Sequence, residues 1–378
     1  MILTVTLNVA LDVTYQVDAL VPGSAHRVRT VVERPGGKGL NVARVLHALG
    51  EPVIATGLIG GAAGTRARDL LETKHAFVEI AGESRRTVVV TDGSDATGFW
   101  EPGPEVSAEE WAEFVGRYTG LVAVARVVVL SGSLPRGVPV DAYAQLVGIA
   151  RERDVPTVLD TSGEPLLRAL AAGPDVIKPN AEELAEAMHA GRASESRNSN
   201  VRQGAADPGF PSGTEPAAPG PRTDTTRADL APTDRPGVDG GARTADSTER
   251  PTDGETAADA GYRIATAGLA HIIECAEALR TAGARTVLAS RGPDGMLAVT
   301  ADGRWHAAPP APVAGNPTGA GDSAVAAVAR GLAYRKEWPS ILADAVALSA
   351  AAVLAPEAGA FDQIAYRRFC HAVTSQEL

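Results

Sequence analysis

The residues best suited to chemistry lie in the run Gly315-Asn316-Pro317-Thr318-Gly319-Ala320-Gly321-Asp322-Ser323, which opens a helical pattern from Ala324 to Leu332. Small residues let a backbone approach a phosphate closely. Amides at the start of the following helix face that phosphate, and the helix dipole favours its charge. Asp322 at the same helix start would repel a phosphate, so its presence makes sense if it takes a proton from an attacking hydroxyl. The alternative is an ordinary glycine-rich turn capped by aspartate. No Gly-Lys-Ser/Thr follows the glycines, so this is not a Walker A loop.

Three further runs could complete such a site. In Pro35-Gly36-Gly37-Lys38-Gly39-Leu40-Asn41-Val42-Ala43-Arg44 the glycines bring backbone close to a ligand, and Asn41 on the first helical turn can point back at it. A plain turn before a helix would look the same. In Lys178-Pro179-Asn180-Ala181-Glu182-Glu183-Leu184, Asn180 and Glu183 share one helical face and could address a metal-water shell. A capping box made by the same two residues is the competing reading. Ser290-Arg291-Gly292-Pro293-Asp294-Gly295 reads as a β-turn, where a nucleotide contact would be unremarkable.

These runs must be positioned by the elements around them. Apolar, β-branched runs at Ile2–Leu7, Val53–Leu58, Arg126–Leu130, Thr157–Leu159, Val176–Ile177 and Thr286–Ala289 predict strands. Between them, helical patterns fall at Gly39–Leu49, Arg66–Lys74, Ala108–Thr119, Val140–Arg151, Ala181–Ala190, Leu269–Ala282 and Ala320–Tyr334. This alternation predicts an α/β fold with a mainly parallel sheet covered by helices on both faces. Val13–Val32 and Arg85–Phe99 break the pattern. They read as short amphipathic strands of a separate small sheet, serving as a lid over the site from about 12–34 and 84–100. Residues 191–260 are Ala, Gly, Pro, Thr, Ser, Asp and Arg with almost nothing to bury, which predicts a disordered, low-complexity insertion. Residues 1–190 and 261–378 then form a single domain.

The formal net charge is -11 and no basic run occurs, which argues against nucleic acid and anionic membranes as partners. Cys275 and Cys370 lie far apart and suggest neither a disulfide framework nor a zinc site. The chain enters a strand pattern at once, without a basic leader, and Ala345–Ala355 is too short to span a bilayer. A cytoplasmic protein is expected.

Together and in this order, the four runs resemble the phosphofructokinase-B branch of the ribokinase family, over the whole chain except 191–260. Thr6-Leu7-Asn8-Val9-Ala10-Leu11-Asp12, Ser131-Gly132-Ser133-Leu134-Pro135 and Asn316-Pro317-Thr318 look like the 1-phosphofructokinase and tagatose-6-phosphate kinase subgroup. The resemblance implies a ribokinase-like three-layer αβα domain with a β-sheet lid. It also implies ATP and Mg2+, and transfer of phosphate to a ketohexose monophosphate. Fructose 1-phosphate is the first choice, with tagatose 6-phosphate or fructose 6-phosphate as alternatives. A non-catalytic sugar-phosphate sensor and a nucleoside kinase are the rivals. By resemblance, Asp322 is the base and Thr318, Gly319, Ala320 and Gly321 form the anion hole. Asp12, Gly37, Lys38 and Asn41 line the sugar pocket, and Arg27 and Arg85 hold the existing sugar phosphate. Lys178, Asn180 and Glu183 organise the ATP phosphates and Mg2+, and Ser290 and Gly295 sit near the nucleotide. A homodimer through the lid is a further expectation. The chain departs from the subgroup at Val9, Thr87, Gly98 and Trp100, and the last three belong to the lid.

Overall fold

Runs of buried β-branched residues build the centre of the molecule, and the ends of those runs carry the polar residues. The computed structural model describes residues 1–93, 95–188 and 268–378. The insertion expected at 191–260 lies outside the described residues. In chain order the strands are β1 (Ile2–Thr6), β2 (Ala10–Gln16), β3 (Thr30–Gly36), β4 (Val53–Ile59), β5 (Lys74–His75), β6 (Val78–Glu79), β7 (Arg85–Thr91) and β8 (Ala96–Trp100). They continue with β9 (Val127–Ser131), β10 (Thr157–Asp160), β11 (Val176–Ile177), β12 (Thr286–Ser290), β13 (Met296–Val299), β14 (Arg304–Ala307) and β15 (Ser375–Glu377). The helices are α1 (Lys38–Ala48), α2 (Gly61–Asp69), α3 (Ala108–Val122), α4 (Ala142–Arg151), α5 (Gly163–Leu170), α6 (181–188), α7 (Leu269–Thr281), α8 (Ala320–Ala333), α9 (Trp338–Val353) and α10 (Gln363–Ala372).

The larger sheet runs β15-β14-β13-β12-β11-β10-β9-β1-β4-β5, with β6 also paired to β4. Neighbours from β12 to β5 are parallel, whereas β12 to β15 form an antiparallel edge. Alternate residues of one strand feed opposite layers, as the pleat requires. Val127 and Val129 of β9 join the core beneath α1, α8, α9 and α10, while Val128 and Leu130 join the core beneath α3, α4, α5 and α7. Helices therefore cover both faces, and the architecture is α/β, three-layered and mainly parallel.

The second sheet, β3-β2-β7-β8, is separate and small, as the two irregular stretches of sequence suggest. Its register sets Asp12 opposite Arg34 on one side and Thr87 on the other. The antiparallel edge, α5 and α10 were not anticipated from the pattern, and α9 only as an alanine-rich stretch. The helix expected at Arg66–Lys74 instead spans Gly61–Asp69. Its first amides, on Ala62 and Ala63, donate to the Glu83 carboxylate at 3.2 and 2.7 Å, a long-range cap that no local signal announces. Beyond its end, Lys74 and His75 are taken up as β5.

At the opposite end of the sheet, Arg126, Arg153 and Arg335 rim a cleft of about 840 Å³ where α3, α4 and α8 terminate. Cations are stabilised at helix C-termini, which accounts for these arginines. Among the described residues no helix is long and apolar enough to cross a membrane.

Candidate active site

In open parallel sheets, ligands bind beyond the carboxyl ends of the strands. The polar residues of this chain gather there. Asp160 ends β10, Lys178 follows β11 and Ser131 ends β9, all of them buried. Lys178 Nζ and Lys38 Nζ each stand 3.4 Å from Asp160 Oδ1, and Lys38 Nζ stands 3.6 Å from Glu183 Oε1. Burial alone would lower the pKa of Lys38, but the carboxylates of Asp160, Glu183 and Asp322 outweigh it and hold the ammonium above its usual range. Two lysines and a buried carboxylate thus meet beside the first turn of α8. A Cβ on Gly321 would lie 3.4 Å from Lys178 Nζ.

Asp322 is buried in that first turn, where Asn41 Nδ2 donates to its Oδ2 at 2.9 Å. Burial pushes its pKa up to about 7, with the charge of Asp160 adding to the rise and Asn41, Lys38 and Lys178 opposing it. A carboxyl group that titrates near neutral pH at a helix start is suited to proton transfer. Gly319 caps α8 with φ 85, the left-handed region that glycine adopts without strain, and a Cβ there would press on Ala358.

Of the four amides expected in the anion hole, two are already committed. Thr318 N–H donates to Asn316 Oδ1 at 3.0 Å and Ala320 N–H to the Pro317 carbonyl at 3.2 Å. Among the described residues, the amides of Gly319 and Gly321 have no backbone acceptor and are the ones available to an anion.

The residues expected to meet the sugar line two cavities. Asp12, Arg34, Arg44, Thr87, Thr318 and Glu357 face one of about 490 Å³. Asn8, Gly37, Lys38, Arg85 and Ser133 face another of about 470 Å³. Burial raises the pKa of Asp12, opposed by its hydrogen bond with Thr87 and by Arg85, Arg44 and Arg34. Gly36 is glycine for a local reason, since any Cβ there would collide with the Asp12 carboxylate. Thr87, Gly98 and Trp100, three of the four departures from the subgroup's pattern, line the first cavity. The Trp100 ring lies over Gly98, 2.8 Å from where a Cβ would stand.

Asn180 and Glu183 form the capping box: Glu183 N–H donates to Asn180 Oδ1, and Asn180 N–H to Glu183 Oε2, both at 2.9 Å. Among the described residues, no group of three or more His, Cys, Asp or Glu side chains could hold a metal ion. Asn180 and Glu183 supply oxygen donors that could address a magnesium ion carried in by phosphates and water. Ser290 and Gly295 shape the β12–β13 turn beside Pro179, whose carbonyl accepts from Ser290 N–H at 3.2 Å. Arg27 is not brought in with the others. It lies exposed in the connection from β2 to β3 and lines neither cavity described above.

Sequence reasoning passed over Asp160, Arg34, Arg44 and Glu357. Asp160 was within reach as the carboxylate that ends an apolar strand. Arg44 is the last residue of the run that begins at Pro35. Only the sheet register brings Arg34 beside Asp12.

A doubly covered parallel sheet, a polar cluster at its strand ends and a flanking four-stranded sheet make up the architecture of a ribokinase-like carbohydrate kinase. The pfkB family carbohydrate kinase model matches residues 5–204 and 253–364. The chain belongs to that family, and it is a phosphotransferase with an alcohol group as acceptor. Solved structures agree on the fold. Phosphofructokinase-2 from Escherichia coli, in complex with fructose-6-phosphate, superposes with a TM-score of 0.71 at 24% identity, covering 97% of this chain and 98% of its own. A Thermotoga maritima protein described as a possible 1-phosphofructokinase gives 0.71 at 22% identity, covering 100% and 99%. Ribokinase from Arabidopsis thaliana, complexed with ribose and ATP, gives 0.63 at 16% identity, covering 98% of each chain.

Proposed function

We propose that this kinase transfers the γ-phosphoryl group of ATP to a primary hydroxyl of a ketohexose monophosphate, with fructose 1-phosphate as the first candidate. Tagatose 6-phosphate and fructose 6-phosphate are the alternatives. The observation that carries the reading is Asp322. It is buried at the first turn of α8, fixed by Asn41 and flanked by the free amides of Gly319 and Gly321. Asp12, Gly37, Lys38, Asn41 and Arg85 would hold the sugar so that its hydroxyl faces Asp322. Asp322 accepts the hydroxyl proton as the oxygen attacks. The two amides and Lys178 neutralise charge that develops on the transferred group. Lys178, Asn180 and Glu183 would order the ATP phosphates, and Ser290 and Gly295 the nucleotide. Magnesium bound with ATP supplies further charge neutralisation on those phosphates. The four-stranded sheet would act as the lid that excludes water, the competing acceptor.

Arg85, in the cavity with Asn8, Lys38 and Ser133, supports a substrate that already carries a phosphate. An ADP-release assay over free and phosphorylated sugars tests the reading. Turnover is expected with ketohexose monophosphates, and equal turnover of free fructose would contradict it. A cytoplasmic location fits this chemistry. Exposed Val31, Phe99 and Trp100 on the small sheet support pairing of two chains there.

The pKa of Asp322 sets a pH dependence. Its protonated form cannot accept a proton, so kcat/KM falls as pH drops through about 7. A rate profile flat between pH 8 and pH 5 would show that Asp322 does not titrate in the rate-determining step.

Residues 191–260 contain almost no large apolar side chains, so they contribute nothing to the kinase in this reading. Replacing them with a short Gly-Ser link is expected to leave folding and turnover nearly unchanged. Loss of soluble protein would show that the segment packs on the domain.

A further inference from the structure

The loop that leaves α9, residues 355–359, touches both halves of the site. On one side it braces the phosphate-binding turn. Asn316 donates its backbone N–H to the Val353 carbonyl at 2.8 Å and its Nδ2 to the Pro356 carbonyl at 3.2 Å. A Cβ on Gly319 would lie 2.8 Å from Ala358 Cα, so the left-handed cap of α8 is seated directly on this loop. On the other side the loop meets the residues around Asp12. Arg44 Nη1 donates to the Ala358 carbonyl at 2.9 Å. Gly359 packs so closely that a Cβ there would come within 3.0 Å of Asn41 Oδ1, the amide that also holds Asp322. Glu357 pairs with Arg34 of β3, and its other oxygen stands 4.0 Å from Arg44 Nη2.

We propose that Glu357 is a positioning residue: its ion pair with Arg34 ties the four-stranded sheet to the loop that seats Gly319, so that filling the sugar cavity sets the phosphate-binding turn. Three features support this role. The strand register holds Arg34 directly opposite Asp12, so Arg34 is shared between a sugar-side carboxylate and the loop. The side chains of Glu357 and Arg34 are 23% and 36% exposed, which leaves their pair less screened than an ordinary surface pair. The loop reaches the turn by close backbone packing at Gly319, which cannot absorb a shift without moving the amides. A displacement of about 1 Å at a reacting centre can cost about 10²-fold in rate. The inference rests on the placement of the reacting centre at α8, proposed above, and on no particular sugar.

The test is a double-mutant cycle on the full chain, using whichever sugar the parent phosphorylates. Glu357→Gln and Arg34→Met are each expected to lower kcat about ten-fold, a fraction of that limit, with the KM for ATP within about two-fold. Because the two side chains act as one unit, the double variant should be no worse than the poorer single. Arg34→Lys, which keeps the charge, should recover most of the lost kcat, a rescue that a purely structural role would not give. Additive losses in the double variant, or an unchanged kcat in both singles, would overturn the proposal. Thermal melts accompany each variant. Should Glu357→Gln unfold the loop, Arg34→Met and Arg34→Lys carry the same test from the small sheet, away from the core. Asp322→Asn, run alongside, separates the two ideas. If it is inactive the reacting centre is where the proposal needs it, and additivity then counts against the coupling alone.

Discussion

Replacing Asp322 with Asn is expected to abolish most turnover while leaving ATP binding largely intact. Asn is nearly isosteric and keeps an acceptor oxygen, so the first turn of α8 and the free amides of Gly319 and Gly321 should survive. It cannot accept the hydroxyl proton. Removing a general base commonly costs about 10²–10⁴-fold in rate. Nucleotide affinity could only benefit, because a negative charge beside the phosphates has gone. Stability gives an independent reading. The folded pKa of Asp322, about 7, lies above the usual value of 3.8 for an aspartate. Ionisation of the buried group is therefore unfavourable in the fold, and the stability it contributes in the protonated form is lost as pH rises through about 7. The Asn variant escapes that loss. Its melting temperature, compared with the parent, should improve as pH rises from about 4 to about 7 and level off above that. Turnover within a few-fold of the parent would show that Asp322 is only a structural residue of the helix start.

The second large effect is expected at Arg85. Arg85→Ala should raise the KM for a phosphorylated sugar far more than the KM for ATP. Arg85 is half-buried beside Asn8, whose carbonyl accepts from its Nε at 3.5 Å, and it shares a cavity with Lys38 and Ser133. Losing one charge-assisted contact to phosphate costs about 1.5–3 kcal/mol, roughly ten- to a hundred-fold in affinity. An unphosphorylated sugar offers no such contact, so its weaker turnover should change little. A raised KM for ATP with an unmoved KM for the sugar would move Arg85 to the nucleotide side.

The sequence discloses those parts of the molecule whose cause is local. Thr286–Ala289, a short β-branched run, reads as a buried strand because nothing but a strand suits it, and it is one. Gly319 and Asp322 stand in a run whose small residues and single acid have a chemical meaning before any coordinates are known. Features with distant causes stay hidden. The start of α2 depends on Glu83, more than twenty positions away, and Arg34 reaches Asp12 only through pairing of β2 with β3. Glu357 lies in a segment with no motif of its own. Asn180 and Glu183 show the opposite limit. Their spacing fits a cap and a metal-water shell equally, and both capping bonds form. Arg27 is expected at the site by resemblance alone, and it lines neither cavity.

The most direct measurement is phosphorus NMR of the protein incubated with Mg-ATP and, in turn, fructose 1-phosphate, fructose 6-phosphate and tagatose 6-phosphate. The expected result is a second phosphomonoester resonance on one of these sugars, growing in step with ADP and absent with Asp322→Asn. ADP appearing with inorganic phosphate and no new sugar resonance, or a new resonance that persists in Asp322→Asn, would contradict the account.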